Sequence, residues 1–473
     1  MRQSPKHRSQ RQRHKTRAAG KHRQPSGNKS THNPTYADPV IGTVSHIGDR
    51  GDGYVVVDAH GEEIRCHVPR TLPGEVVEFA VETSNSEARI ANAKLIRVIE
   101  PSPERVQAAC RHFEFCGGCQ LQHAAPTAIA EFKTERVRRA LIQQDLPTDV
   151  LAPAITAWGD NDPAQHGRRR MEFAIQHHGQ DIKLGLHQPG SNRLIDIAEC
   201  PVAASAIEDA LPDLRELAAL ALKAGEQADC HVTATNNGLD IVLTRKREPG
   251  LDERLDLPEF LERKGWPRLS WRSSHRAPPE TVTAFTTPTI TIAGHQAPMP
   301  AAGFIQATSA GQDALIDAVM RIVTATGENA YCHDLFCGLG TFTLPLLAQD
   351  RNRKVSACDM AGDSLTALRQ AAVDYGSRLM VEPRDLFRNP FYADELKGTD
   401  CVIFDPPRAG AEAQAEALAD STVQTVIAVS CNPVTFARDA RLLIEGGYHM
   451  TSVQPVDQFQ WSVETELVAA FTR

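Results

Sequence analysis

Four cysteines are spaced as a ligand cage. Cys110, Cys116 and Cys119 follow a C-x5-C-x2-C spacing, and Cys200 stands far downstream in Glu199-Cys200-Pro201. Three close thiols and one distant thiol can close a tetrahedral sulfur cage around zinc or an iron–sulfur cluster. Gly117 and Gly118 leave room for backbone N–H groups to turn toward the sulfurs. Another cysteine, Cys431, stands in Ser430-Cys431-Asn432-Pro433. The apolar run from Val423 to Val429 predicts a buried strand before it. Thr435 to Ile444 predicts a helix after it, with Asn432 as N-cap, Pro433 in the first turn and Gly446-Gly447 as the stop. Cys431 thus lies at a strand-to-helix turn, where backbone N–H groups favour a thiolate. A cysteine so placed is either a nucleophile or a packed core thiol.

A second constellation is made of acids and glycines. Asp334-Leu335-Phe336-Cys337-Gly338-Leu339-Gly340 reads as a glycine-rich turn between a strand and a helix, which lets a ligand approach the backbone. Asp359 ends the next predicted strand, Lys354 to Cys358, where an acid reaches ribose hydroxyls in a doubly wound sheet. Asp385 lies at the next comparable turn, and Asp405 ends a fourth strand, Cys401 to Phe404. Residue 343 is Thr, so the turn is not a dinucleotide G-x-G-x-x-G, and no G-K-[ST] follows it for phosphates. A nucleoside without a polyphosphate, such as S-adenosylmethionine, fits this pattern better.

The elements that must position these groups fall into four stretches. Residues 1–37 hold ten Lys/Arg and no acid; the rest carries 41 basic against 59 acidic residues, a net of −18. That basic segment has little to bury, so it is expected to be a disordered tail that either meets polyanions or merely solvates. Residues 38–99 show five short alternating runs separated by turn residues, the pattern of an OB-like β-barrel, similar to a TRAM module. Residues 100–300 are a mixed α+β region holding the cysteine cage. Within it Asn237-Gly238 signals a hairpin, Glu208 to Ala224 a helix, and Thr281 to Ile292 a strand. Arg168-Arg169-Arg170 could meet phosphates or form a solvated charge run. Residues 301–473 alternate strands and helices, starting with a helical stripe over Gln312 to Val323. No apolar run is long enough for a membrane span, and residues 1–37 show no apolar h-region, so neither a membrane span nor secretion is expected. With eleven cysteines, a cytoplasmic setting is expected rather than a disulfide framework.

Asp334–Phe342, Phe404-Asp405-Pro406-Pro407-Arg408-Ala409-Gly410 and Ser430–Arg438 together resemble the RNA (uracil-5-)-methyltransferase family. The C-x5-C-x2-C spacing with a distant cysteine and the TRAM-like module resemble its rRNA-modifying branch. The resemblance spans roughly residues 38–473. It implies a class I methyltransferase fold at the C-terminus: a mostly parallel seven-stranded sheet ending in an antiparallel hairpin, with Thr451–Gln454 and Glu466–Phe471 as the hairpin strands. It implies S-adenosylmethionine as cofactor. Gln306 would contact the methionine moiety, Asp334, Phe336, Gly338 and Gly340 would line the cofactor loop, Asp359 would take the ribose, and Asp385 would lie near the adenine. Asp405 would lie near both cofactor and target base, Cys431 would be the nucleophile, and Glu466 the base. Cys110, Cys116, Cys119 and Cys200 would hold a [4Fe-4S] cluster.

The implied reaction is methylation of uridine carbon 5 in RNA, with 23S rRNA as expected substrate and tRNA as alternative; no obligate protein partner is implied. One departure stands out. The family often carries His two residues before the base, whereas here the stretch is Glu464-Thr465-Glu466, which makes Glu464 a rival base. A radical enzyme is a poorer match, because the spacing is not C-x3-C-x2-C and four candidate ligands would fill all four iron sites. A non-catalytic RNA-binding relative would have no need of Cys431, Glu466 and Asp405.

Overall fold

The computed structural model describes residues 37–59, 62–82, 90–158, 167–179 and 181–473. The basic tail lies outside them, except for its last residue. Among the described residues no helix is long and apolar enough to cross a membrane.

Strands β1 (Val40–Ile47), β2 (Gly53–Ala59), β3 (Glu62–Val68), β4 (Val76–Val81) and β5 (Ile90–Glu100) close a barrel in the order β1-β2-β3-β5-β4. Alternation puts Val44, Val55, Cys66, Val68, Val77 and Phe79 inside it. This core is small, and a buried ion pair ties it to the segment after β5. Glu75 has no solvent exposure and accepts from Arg105 Nε at 2.5 Å and from Leu72 N at 2.9 Å.

After the helix Pro126–Gln143 and the short strand β6 (Ile155–Thr156), a seven-stranded sheet forms. It contains β7 (Arg170–His178), β8 (Asp181–His187), β9 (Leu194–Asp196), β10 (Gln227–Thr235), β11 (Gly238–Thr244), β12 (Arg268–Arg272) and β13 (Glu280–Ala284), in the order β13-β12-β11-β10-β7-β8-β9. Asn237-Gly238 turns the β10–β11 hairpin, with Gly238 at φ +122°. Two expectations need correction. The helix expected over 208–224 is two, Ser205–Asp209 and Leu211–Ala221, because Pro212 lacks the N–H a continuous helix needs and takes the first turn of a new one. The strand expected over 281–292 is also two, β13 and β14 (Thr289–Ile292), in different sheets; Pro288 stands at the break.

β14 pairs with β15 (His295–Pro298), and this hairpin packs through Ile290, Ile292, Ala297 and Met299 on the C-terminal core. That core surrounds β16 (Tyr331–Leu335), β17 (Lys354–Asp359), β18 (Leu379–Pro383), β19 (Cys401–Phe404), β20 (Thr425–Ser430), β21 (His449–Asp457) and β22 (Glu466–Thr472). The sheet order is β18-β17-β16-β19-β20-β22-β21-β6. Five strands are parallel; β22 runs antiparallel to β20 and to β21. The parallel strands read as continuous apolar runs because helices cover both faces. The expected seven strands gain an eighth, β6, which comes from before residue 160 and pairs with β21. The helix Pro126–Gln143 also packs on this sheet, through Val137, Ala140 and Leu141. Its Lys133, without solvent exposure, bonds to the carboxylate of Asp457 and donates to the Phe459 carbonyl at 3.0 Å.

Candidate active site and cysteine cavity

In a doubly wound sheet the crevice lies beyond the carboxyl ends of the parallel strands, where strand order reverses. Here β16 stands between β17 and β19, and the chain leaves it through Phe336, Gly338 and Gly340, at φ +61°, +53° and +89°. Gly340 suits its φ of +89°, and a Cβ there would lie 2.4 Å from Leu368 Cδ1, so that side chain would have to shift. Gly338 N donates to Asp359 Oδ2 at 3.0 Å, and Asp359 Oδ1 accepts from Ala361 N at 2.8 Å, so the ends of β16 and β17 are laced together. Asp334 accepts from Thr343 Oγ1 at 2.5 Å through one oxygen; the other is buried without a partner. Asp385 caps the turn after β18 by accepting from Phe387 N at 3.1 Å.

Register brings the distant residues together. Ser430, the last residue of β20, pairs with Leu467 on antiparallel β22, so Cys431 leaves its strand at the edge where Glu466 begins β22. Phe404 on β19 pairs with Ala428 on β20, which sets Asp405 at the same edge. Gln306 is buried and donates to Asp405 Oδ2 at 3.4 Å. Glu466 is also buried, whereas Glu464 accepts from Arg408 Nη1 at 3.1 Å at the half-exposed rim.

Charge in this crevice is one-sided. Burial pushes the Asp334 carboxyl up to about 7, with Asp405 adding to the rise. Asp405 is likewise pushed to about 7, by burial and then by Asp359. Glu466 rises to about 8, through burial and then Asp405. The Cys431 thiol is pushed to about 12 by burial, Glu466 and Asp405. Burial and these acids thus oppose the thiolate that the helix start favours. The N–H groups there serve the cap instead: Asn432 N donates to Ser430 Oγ at 3.2 Å and Val434 N to Asn432 Oδ1 at 3.1 Å. Several carboxyls share a low-dielectric site, and of the basic groups at its margin Arg408 is engaged by Glu464 and Lys133 by Asp457. Such a site suits a cationic ligand.

The four cage cysteines, 81 residues apart from Cys119 to Cys200 in sequence, line one cavity of about 220 Å³. His112 N points at Cys110 Sγ and Gly118 N at Cys116 Sγ, each at 3.4 Å. Gly117 is held tightly, since a Cβ there would come 2.6 Å from the His187 carbonyl. Among the described residues, the one trio of possible ligand atoms within 4.8 Å of one another is Glu172, Asp229 and His275.

The arginine run differs from the phosphate-binding reading. Arg169 is buried and donates to the Gln306 carbonyl at 3.0 Å and to Gln312 Oε1 at 3.2 Å. Arg170 lies 5.0 Å over the Phe304 ring and donates to the Gly303 carbonyl at 3.2 Å. Arg168 keeps an exposed side chain that borders the cysteine cavity and lies 5.8 Å over Phe459. The run therefore ties the central sheet to the Gln306 segment. Lys133, Asp457 and Gln458 carried no signal in the sequence; their positions depend on contacts more than 150 residues apart.

Comparison with known proteins agrees with this geometry. Residues 289–469 match the family described as tRNA (Uracil-5-)-methyltransferase. An RNA methyltransferase of Caulobacter vibrioides is 37% identical over 439 residues, covering 91% of this chain and 99% of that protein. The chain belongs to the RNA (uracil-5-)-methyltransferase family. It is an S-adenosylmethionine-dependent RNA methyltransferase. A 23S rRNA (uracil(1939)-C(5))-methyltransferase of Pectobacterium atrosepticum is 29% identical, with 88% of this chain and 92% of that one covered. Among solved structures, the tRNA (uracil-54, C5)-methyltransferase of Pyrococcus abyssi in complex with S-adenosyl-L-homocysteine aligns with a TM-score of 0.68 and 22% identity. It covers 91% of this chain and 99% of that one, and shows a shared methyltransferase fold.

Proposed function

We propose that this methyltransferase modifies carbon 5 of a uridine in 23S rRNA, with Cys431 as nucleophile and Glu466 as base. The observation that carries the reading is the register of β20 on β22 and on β19, which brings Cys431, Glu466 and Asp405 to the same edge of the sheet. Carbon 5 of uracil is too weak a nucleophile to take a methyl group unaided. Sulfur addition at carbon 6 turns the ring into an enolate, splitting one hard step into easier ones. The thiol must first give up its proton; the ionised carboxylate of Asp405 would accept it, which leaves Glu466 free for the later step and removes one of the charges that hold the thiol protonated. After methyl transfer Glu466 removes the carbon 5 proton, the ring electrons return, and the carbon–sulfur bond breaks. Glu466 is preferred over Glu464 because it is buried in the crevice, whereas Glu464 is engaged by Arg408.

S-adenosylmethionine supplies an electrophilic methyl on a cationic sulfonium. Gln306, Asp334, Phe336, Gly338, Gly340, Asp359, Asp385 and Asp405 would hold it. The unpartnered buried oxygen of Asp334 and the raised carboxyls fit such a cation. Cys110, Cys116, Cys119 and Cys200 would hold a [4Fe-4S] cluster: all four line one cavity, and backbone N–H groups aim at two of the sulfurs. With Cys431 and Glu466 performing the chemistry, the cluster would act structurally. Of the four parts expected from the sequence, the TRAM-like barrel, the cluster region and the methyltransferase domain would work together on the RNA, while the tail before them would either meet polyanions or merely solvate; the target base must leave its stack to reach Cys431.

The rRNA assignment follows the named relative at 29% identity. Mass-spectrometric mapping of 5-methyluridine in RNA from a strain lacking the gene tests it. Loss of one 23S rRNA site is expected; loss confined to tRNA refutes the substrate. Cys431→Ala should abolish both methylation and covalent trapping of 5-fluorouridine RNA, and retained activity refutes the nucleophile.

A further inference from the structure

Gln458 follows directly on β21 and is 1% exposed. Its backbone is clamped on both sides by Lys133, which bonds to the Asp457 carboxylate and the Phe459 carbonyl. Its side chain is wedged against the start of the helix Ser309–Thr324: a Cβ on Gly311 would lie 2.3 Å from Gln458 Cβ and 2.7 Å from its Oε1. The side chain therefore has one place to go.

Its orientation is set by a fixed donor. Ala307 N donates to Gln458 Oε1 at 3.1 Å. The amide nitrogen must then face the other way, where it meets two acceptors, Gln306 Oε1 at 2.8 Å and Glu466 Oε1 at 3.2 Å. With its own oxygen engaged, Gln306 turns its nitrogen toward Asp405 Oδ2, 3.4 Å away. One backbone N–H thus orders two amides in series and takes up one oxygen of a buried carboxyl. An amide that faced the other way would set oxygen against oxygen at both contacts.

We propose that Gln458 is a positioning residue that sets the Gln306 amide and the Glu466 carboxyl together, joining the cofactor side of the crevice to its base side. The proposal rests on the roles proposed for Gln306 and Glu466. Removing Gln458 frees the Gln306 amide to flip, which weakens cofactor binding. It also removes a donor that favours the ionised base, so proton removal at carbon 5 needs a higher pH.

The test uses the full-length enzyme with total RNA from a strain lacking the gene, and with the same RNA carrying 5-fluorouridine. Gln458→Met keeps length and volume; Gln458→Glu keeps the acceptor for Ala307 but, when ionised, loses the donor. Both variants are expected to trap 5-fluorouridine RNA, which needs Cys431 and methyl transfer but no proton removal. On ordinary RNA both should turn over about tenfold or more slowly, with accumulation of a covalent adduct, a rate–pH profile displaced to higher pH, and weaker S-adenosylmethionine binding. Wild-type turnover, pH profile and cofactor affinity in Gln458→Met overturn the proposal alone. If the wild-type enzyme itself neither methylates the RNA nor traps the fluorinated form, the functional reading falls and the proposal with it. Should Gln458→Met not fold, Gln458→Glu decides by the same readouts.

Discussion

The one-sided charge of the crevice gives a measurable consequence for cofactor binding. In the protein alone Asp334 and Asp405 are pushed up to about 7 and Glu466 to about 8. A sulfonium bound among them favours the ionised forms and draws their protonation midpoints down. Binding then releases protons, and affinity rises with pH. A carboxyl with a midpoint of about 7 is roughly one-tenth ionised at pH 6 and nine-tenths at pH 8. One such group taken to full ionisation on binding improves Kd about tenfold over that interval, and two acting independently about a hundredfold. Mutual repulsion of the acids places the expected gain between these figures. Isothermal titration at pH 6, 7 and 8, in two buffers of different ionisation enthalpy, reads both affinity and proton release. S-adenosylhomocysteine is the control: it carries the same adenosine and α-amino group but no sulfonium, so its affinity should change much less. Parallel pH slopes for the two ligands, or an affinity that falls as pH rises, refute the electrostatic reading of the site. Asp405→Asn should flatten the S-adenosylmethionine slope and bring the Cys431 thiol down, because one of the carboxyls that raise it is gone.

Lys133→Met leaves Asp457 buried without its cation, and about 3–5 kcal/mol of stability should be lost near neutral pH by urea denaturation. Burial already holds Asp457 above the ordinary carboxylate range, and without Lys133 it rises further. The penalty is therefore present at high pH and shrinks as the pH falls through the folded midpoint and the group protonates; a loss independent of pH would refute the charge argument. Gly340→Ala should lose S-adenosylmethionine binding by titration, because the new Cβ meets Leu368 Cδ1 at 2.4 Å in a left-handed backbone; unchanged affinity would show that the turn yields cheaply. Cys119→Ser should remove a brown chromophore and its iron from anaerobically isolated protein, and a colourless wild-type protein containing one zinc would refute the cluster assignment.

The candidate site was legible in the sequence where its proposed function demands rare residue types at short range. The acids Asp334, Asp359, Asp385 and Asp405 stand at strand ends because a parallel sheet delivers its carboxyl edge to a ligand, and the glycines between them have a backbone reason. The cysteine spacing was equally plain. Less visible was which side chains are neutral, paired or turned inward. Arg168-Arg169-Arg170 has the look of a phosphate stripe, yet Arg169 faces the Gln306 carbonyl, since β7 begins against that segment. The helix start at Cys431 promised a thiolate, but Asn432 and Ser430 take the donors, and burial, together with two acids from other strands, outweighs what remains.

What the sequence determined by itself, then, is the local chemistry: turns, strand ends, the cage spacing and the type of reaction its motifs resemble. Only the tertiary structure decided that the helix Pro126–Gln143 and strand β6 belong against the C-terminal sheet, that Lys133 clamps Asp457, and that Gln458 stands between Gln306 and Glu466. The physical reason is range. Periodicity and turn preferences act over a few residues, whereas burial and the pairing of polar groups depend on segments that meet only once the core has closed.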